Sequence, residues 1–157
     1  MRPYAKSQDW YARAATVTPG ASQTRSKSPT KFPLGAYPAF IECGEGAHVW
    51  DVDGNAYIDW ISSLAAVTLG HAHPQVNAAV HRQINQGTLF SLPHRLEAEV
   101  AERLCDIIPC AEMVRFVKTG SEATEAAIRV ARCATGRDVV VTVGAGYHSW
   151  HSWFSAV

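Results

Sequence analysis

Residues 118–124, KTGSEAT, put a lysine, a hydroxyl, a glycine and a second hydroxyl at the head of an alanine-rich segment. These residue types suit the holding of an anion. The first turn of a helix leaves backbone N–H groups unpaired along its axis, and the helix dipole adds to their pull on negative charge. Gly120 has no Cβ, so the backbone can approach a ligand closely. Thr119 and Ser121 offer hydroxyl donors on either side. The same residues also spell a capping box, Thr119 with Glu122 three positions on. The local pattern leaves a cap alone and a cap with a bound phosphate both open. The G-x-x-x-x-G-K-[ST] spacing of nucleoside-triphosphate loops is absent. Lys118 is either a partner for the anion or a solvated strand end.

A second group follows the run VVVTV, in GAGYHSWHSW. Ligands of parallel sheets bind outside the carboxyl ends of strands. Tyr147 and His148 therefore fall on the same edge as Gly120 and could stack on a planar cofactor ring; ordinary packing of Trp150 and Trp153 explains the segment equally well. His71 and His73 flank Ala72 just before Pro74, with no third ligand at a metal-site spacing, so they read as a sharp turn rather than a zinc site. No Ser-His-Asp or Cys-His arrangement is legible, and the phosphate reading points to cofactor anchoring rather than hydrolysis.

The elements that position these groups follow from periodicity. Residues 7–16 suit a short helix, and TPGASQTRSKSPTKFPLG breaks every period and reads as a long loop. AFIEC, AHVWDVD and AYIDW, separated by GEG and DGN, predict a three-stranded antiparallel meander. ISSLAAVTLGHAHP reads as loop. Helices are expected over 75–85 (Val76, Ala79, Val80 and Ile84 on one side), 94–108 (Leu96, Val100, Leu104 and Ile107) and 121–135, with Gly136 as the last stop. MVRFV and VVVTV flank the third helix and have the unalternating β-branched character of buried parallel strands. Residues 113–143 thus predict one strand–helix–strand unit of a sheet sandwiched between helices, which needs further strands beside it.

The 157 residues carry 14 basic and 14 acidic side chains, a balance that gives no argument for binding nucleic acid or an anionic membrane. Within the first 31 residues, Arg2, Lys6, Arg13, Arg25, Lys27 and Lys31 face only Asp9, which reads as an exposed basic arm. No apolar stretch approaches membrane-helix length. Cys43, Cys105, Cys110 and Cys133 form no C-x-x-C pair and are expected to be buried free thiols in a reducing, cytoplasmic setting.

The stretches PAFIECGEGAHVWDVDGNAYIDW, LGHAHPQV, MVRFVKTGSEATEAAIRVARCATGRD and GYHSW together resemble class III pyridoxal-phosphate-dependent aminotransferases. The likeness is nearest the glutamate-1-semialdehyde aminomutase branch and covers residues 33–150, the N-terminal part of the family. The resemblance implies an α/β fold, the front of a fold-type I transferase: a small antiparallel meander followed by the start of a large mixed-sheet domain. It divides the chain into an arm and loop (1–38), small-domain strands (39–70) and an incomplete cofactor-binding domain (71–157). Pyridoxal 5'-phosphate is the implied cofactor, with Thr119, Gly120 and Ser121 as its phosphate cup, and Tyr147, beside His148, as the stacking aromatic. An amine, amino acid or amino sugar is the implied substrate and a homodimer the implied assembly.

Three departures stand out. Lys118 replaces a common Asn, Leu64 replaces the aminomutase branch's substrate-facing tryptophan, and Ser149-Trp150 replaces a Gly-His. The lysine that bonds the cofactor, the aspartate at its ring nitrogen and the substrate-carboxylate arginine come later in the family. No residue here is assigned to them, and Lys118 is not taken as the catalytic lysine. The competing expectation is a non-catalytic dimerisation or binding module that keeps the front half of the fold.

Overall fold

The computed structural model describes residues 4–33, 35–144 and 146–151, so Arg2 and Trp153 lie outside the described residues. The chain divides into two compact units, Met1–Leu89 and Phe90–Val157.

The first unit is built on the expected meander. β1 (Ile41–Glu45), β2 (His48–Asp51) and β3 (Ala56–Ile58) form an antiparallel sheet in sequence order. The register pairs Glu45 with His48 and Trp50 with Ala56, and a bulge lies between Ile41 and Cys43. The β2–β3 turn is closed by one carboxylate. Asp51, 2% exposed, accepts from the Asp53 amide (3.0 Å), the Asn55 amide (2.7 Å), Asn55 Nδ2 (2.9 Å) and the Tyr57 hydroxyl (2.9 Å). Burial pushes its carboxyl up, but the bonds from Asn55, Tyr57 and Asp53 outweigh that and hold it below its ordinary value.

Helix α1 (Ala5–Val17) covers and extends the expected 7–16. Its own N-cap side chain, Tyr4, makes no capping bond. The cap comes instead from the hairpin: Asp53 accepts the amides of Lys6 (2.8 Å) and Ser7 (2.9 Å) across more than forty residues of sequence. Ser7 is 1% exposed and its hydroxyl has no partner among the described residues. Arg13 lies 4.3 Å over the Trp10 ring, and Trp10 meets Phe40 at 6.5 Å between centroids. The expected loop 18–35 is a string of single 3-10 turns, Pro19–Ala21, Arg25–Lys27 and Pro29–Lys31, with Ser28 bonded to the Gly20 carbonyl at 2.7 Å. Helix α2 (Pro74–Ile84) ends the unit.

The second unit holds α3 (Arg95–Ile107) and α4 (Gly120–Thr135). His94 Nδ1 accepts the Leu96 amide (3.2 Å), and Glu97 accepts the His94 amide (2.9 Å), which starts α3. Gly136, with φ of 66°, stops α4 as expected and donates to the Arg132 carbonyl. Two expectations are corrected here. MVRFV and VVVTV are not strands, because no sheet partner lies beside either among the described residues. β-branched character marks a segment suited to a sheet, but a strand exists only through its neighbours' hydrogen bonds. The apolar helix faces form at the predicted spacing yet stand open, with Val80, Val100 and Val130 all exposed. The thiols differ likewise: all four are free, but Cys43, Cys110 and Cys133 are exposed.

Asp53→Ala removes the long-range cap of α1 and should cost about 0.5–2 kcal/mol, while Asp53→Asn, whose single carbonyl oxygen can accept only one of the two amides, retains part of it; urea unfolding of both variants checks this. Because the folded-state Asp51 carboxyl is held low, its contribution is full above the ordinary carboxylate range and lost as pH falls through the lowered value. Acid titration of stability should show a slope there that Asp51→Asn removes.

Candidate functional site

The helix end singled out by the sequence is built by its own first turn. Thr119 is extended (φ −136°, ψ 158°) and its Oγ1 accepts the Glu122 amide at 3.2 Å. Glu122 Oε2 reaches back to accept the amides of Lys118 (2.7 Å) and Thr119 (3.0 Å). The capping box is therefore present. It leaves the amides of Gly120 and Ser121, at the first two helical positions, with no intrahelical acceptor. The Thr119 hydroxyl accepts through a lone pair, so its proton remains available to donate. A Cβ at Gly120 would meet nothing within 4 Å, so the turn is uncrowded on that side. Lys118 makes no ion pair among the described residues. The two free amides belong to the same turn as the hydroxyl-bearing Thr119 and Ser121 and the basic Lys118, a donor set whose chemistry fits a terminal phosphate.

The other sequence-predicted residues lie downstream in the same unit. Tyr147 is exposed. His148 Nε2 lies 3.2 Å from the Val143 carbonyl, and a Cβ at Gly146 would stand 2.8 Å from that nitrogen. Trp150 and His151 have ring centroids 6.1 Å apart. Among the described residues no group of three or more His, Cys, Asp or Glu side chains could hold a metal ion, and no helix is long and apolar enough to cross a membrane.

A different constellation, missed in the sequence, joins Asp59 and His71 in the first unit. Asp59 Oδ1 accepts the amides of Ile61 (3.1 Å) and Ser62 (2.9 Å), and its Oδ2 lies 2.8 Å from His71 Nε2. The His71 hydrogen bond holds the Asp59 carboxyl below its ordinary value, burial opposes this, and the Ser62 and Ile61 amides and the His71 charge add to the lowering. His71 also exchanges backbone bonds with Gly46, at 2.9 and 2.8 Å. Between these anchors Ser62, Ser63, Leu64 and Ala65 have φ of 48°, 52°, 59° and 66°, a single left-handed helical turn. For L-residues that conformation costs roughly 1–2 kcal/mol each. Aspartate ending a strand and histidine after a Gly were the signals available, but nothing in Ser-Ser-Leu-Ala announces a left-handed turn.

Residues 33–153 match the family of class-III aminotransferases. Over 147 residues the chain is 44% identical to the glutamate-1-semialdehyde 2,1-aminomutase of Chloroflexus aggregans, covering 92% of this chain and 33% of that protein. It is similar to the crystal structure of an omega-transaminase from Sphaerobacter thermophilus, with 37% identity, a TM-score of 0.74, and 83% of this chain and 29% of that one covered. It is also similar to a solved transaminase with PLP bound, with 34% identity, a TM-score of 0.85, and coverage of 96% and 34%. A small antiparallel meander followed by the onset of a larger α/β domain is thus the N-terminal architecture of a fold-type I transferase. The chain belongs to the class-III aminotransferase family. It spans about a third of the length of the curated relatives it matches, 33% for the aminomutase above.

Gly70 has φ of 89°, and a Cβ there would stand 3.1 Å from Gly46 backbone atoms. Gly70→Ala combines strain with a backbone clash and should destabilise the protein by about 1–3 kcal/mol, measured by urea unfolding.

Proposed function

We propose that the chain supplies the cofactor phosphate cup and ring-stacking aromatic of a pyridoxal-phosphate-dependent enzyme acting on an amine, amino acid or amino sugar. The observation that carries this reading is the first turn of α4, where the amides of Gly120 and Ser121 stay available although the capping box is complete. Membership of the class-III aminotransferases and the likeness to a transaminase with PLP bound support the choice of phosphate ligand.

In this reading Thr119 and Ser121 donate hydroxyl protons to phosphate oxygens, the Gly120 and Ser121 amides donate alongside, and the helix dipole stabilises the anion. The Glu122 carboxylate opposes a second anion at this end, and the Lys118 ammonium offsets it. Tyr147 covers one face of the cofactor ring beside His148; its exposed side chain supports that role. Pyridoxal phosphate, when bound, supplies an electron sink that lets a proton move between carbons of the substrate. The residues named here bind and orient; none is the base. Residues 39–70 belong to the small domain and 71–157 to the cofactor-binding domain, in a cytoplasmic homodimer. Leu64, where the aminomutase branch often has tryptophan, favours amino-group transfer over the aminomutase reaction.

Titrating the full-length protein with pyridoxal phosphate, followed by absorbance, tests the cup. Ser121→Ala leaves the capping box intact, and loss of one hydrogen bond to a charged group is worth about 1.5–3 kcal/mol, so its Kd should rise at least tenfold. Thr119→Val should weaken binding similarly, and Thr119→Ser should restore it. Affinities within twofold of the parent for Ser121→Ala and Thr119→Val would reject the cup, and no binding by the parent protein would favour a non-catalytic module.

A further inference from the structure

We propose that residues 62–65 form a two-state segment, held in its left-handed form by the Asp59–His71 pair acting as a latch.

The turn is uphill by itself. Four consecutive residues have φ between 48° and 66° and none is glycine. L-residues visit this region singly, at turns, and not in runs. Strained backbone persists only where its surroundings over-determine it. Here packing does not do so, because no residue from Trp60 to Gly70 is buried, and Trp60, Ile61, Leu64 and Leu69 are all exposed. The turn's own backbone contributes bonds from the Ala65 amide to Ile61 (3.1 Å), from Val67 to Ser62 (3.0 Å) and, longer, from Ala66 to Ser63 (3.4 Å).

The remaining restraint comes from its two feet. Asp59 grips the entry through the Ile61 and Ser62 amides and the exit through the His71 ring. Both feet are tied to the β1–β2 connection, Asp59 through its amide to the Ala47 carbonyl (2.9 Å) and His71 through Gly46. The imidazole has a fitted seat. A Cβ on Gly44 would stand 2.7 Å from His71 Cγ, so the glycine is what lets the ring sit beside the strand. Removing the latch lets the backbone of 62–65 leave the left-handed region and carries the exposed Leu64 with it. Glycine at 63 and 64 would make the same left-handed backbone inexpensive without any latch.

Hydrogen exchange of the full-length protein, read by mass spectrometry over 60–71, tests this. His71→Ala unlatches by removing the imidazole, and Gly44→Ala does so by displacing the ring with the Asp59 and His71 residue types unchanged. Each should raise exchange over 61–67 by about tenfold or more while the strands and α1 stay protected. Adding Ser63→Gly with Leu64→Gly to either variant should bring exchange back most of the way to the parent rate. Exchange within twofold of the parent in both unlatched variants would overturn the proposal. So would acceleration spread evenly over the whole first unit, or a glycine pair that speeds exchange in every background.

Discussion

The first unit depends on two carboxylates two residues apart in one hairpin turn. Asp51 turns inward and takes four hydrogen bonds, all from residues 53 to 57. Asp53 points the other way and caps a helix that begins almost fifty residues earlier. A buried carboxylate is costly unless its lone pairs are satisfied. Asp51 meets that condition with local donors, which makes the turn rigid enough to present Asp53 at a fixed place. The N-terminal helix is therefore docked by the geometry of the β2–β3 turn as well as by the Trp10–Phe40 contact. The apolar core beside this network is small, with Val49 and Ala21 as the buried hydrophobic residues among those described. Polar satisfaction, rather than apolar area, specifies how α1 meets the sheet.

The end of α4 obeys the same accounting from the opposite side. A capping box and an anion site look like rivals in sequence because both use Thr119 and the first-turn amides. Counted donor by donor they are not. Glu122 takes the amides of Lys118 and Thr119, which precede the helix; Thr119 takes the Glu122 amide. The amides of Gly120 and Ser121 lie between these two sets. The box organises the turn and leaves its centre unspent, which is the condition an anion would need.

Much of the architecture was legible because it is written in local chemistry. The meander follows from β-branched and aromatic runs broken by Gly44-Glu45-Gly46 and Asp53-Gly54-Asn55, although β1 runs on through Gly44 and Glu45 and only Gly46 of the three lies in the connection to β2. The helices follow from apolar spacing that ends at Gly136 or before Pro109. Thr119 and Glu122 were readable as a cap because the box lies within four residues. The two flanking runs were misread as formed strands, since their apolar character records only what kind of neighbour they suit. The Asp53 cap was not legible at all. Asp53 has an adequate local explanation as a turn residue, and its second role involves Lys6 and Ser7, whose sequence carries no mark of it.

The same distinction explains why residues 62–65 read as an ordinary loop. Sequence announces positive φ through Gly or Asn, as at Gly54 and Gly70, because those residues reduce the cost at the position itself. Ser-Ser-Leu-Ala does nothing to reduce it. When the cost is met by groups outside the segment, the signal moves to those groups, here Asp59 and His71, and each of them alone looks unremarkable. His71 reads in sequence as part of a sharp turn rather than as a metal ligand, and Ala72 beside it does have φ of 52°, but the turn announces nothing of the ring's bond to Asp59. Its ring is meaningful only with Gly44 beneath it and Asp59 beside it. A segment whose conformation is imposed from its ends, with no buried side chain of its own, responds to changes at those ends as a unit. Strain of this sort is thus visible in backbone angles and hydrogen-bond partners before any residue type betrays it.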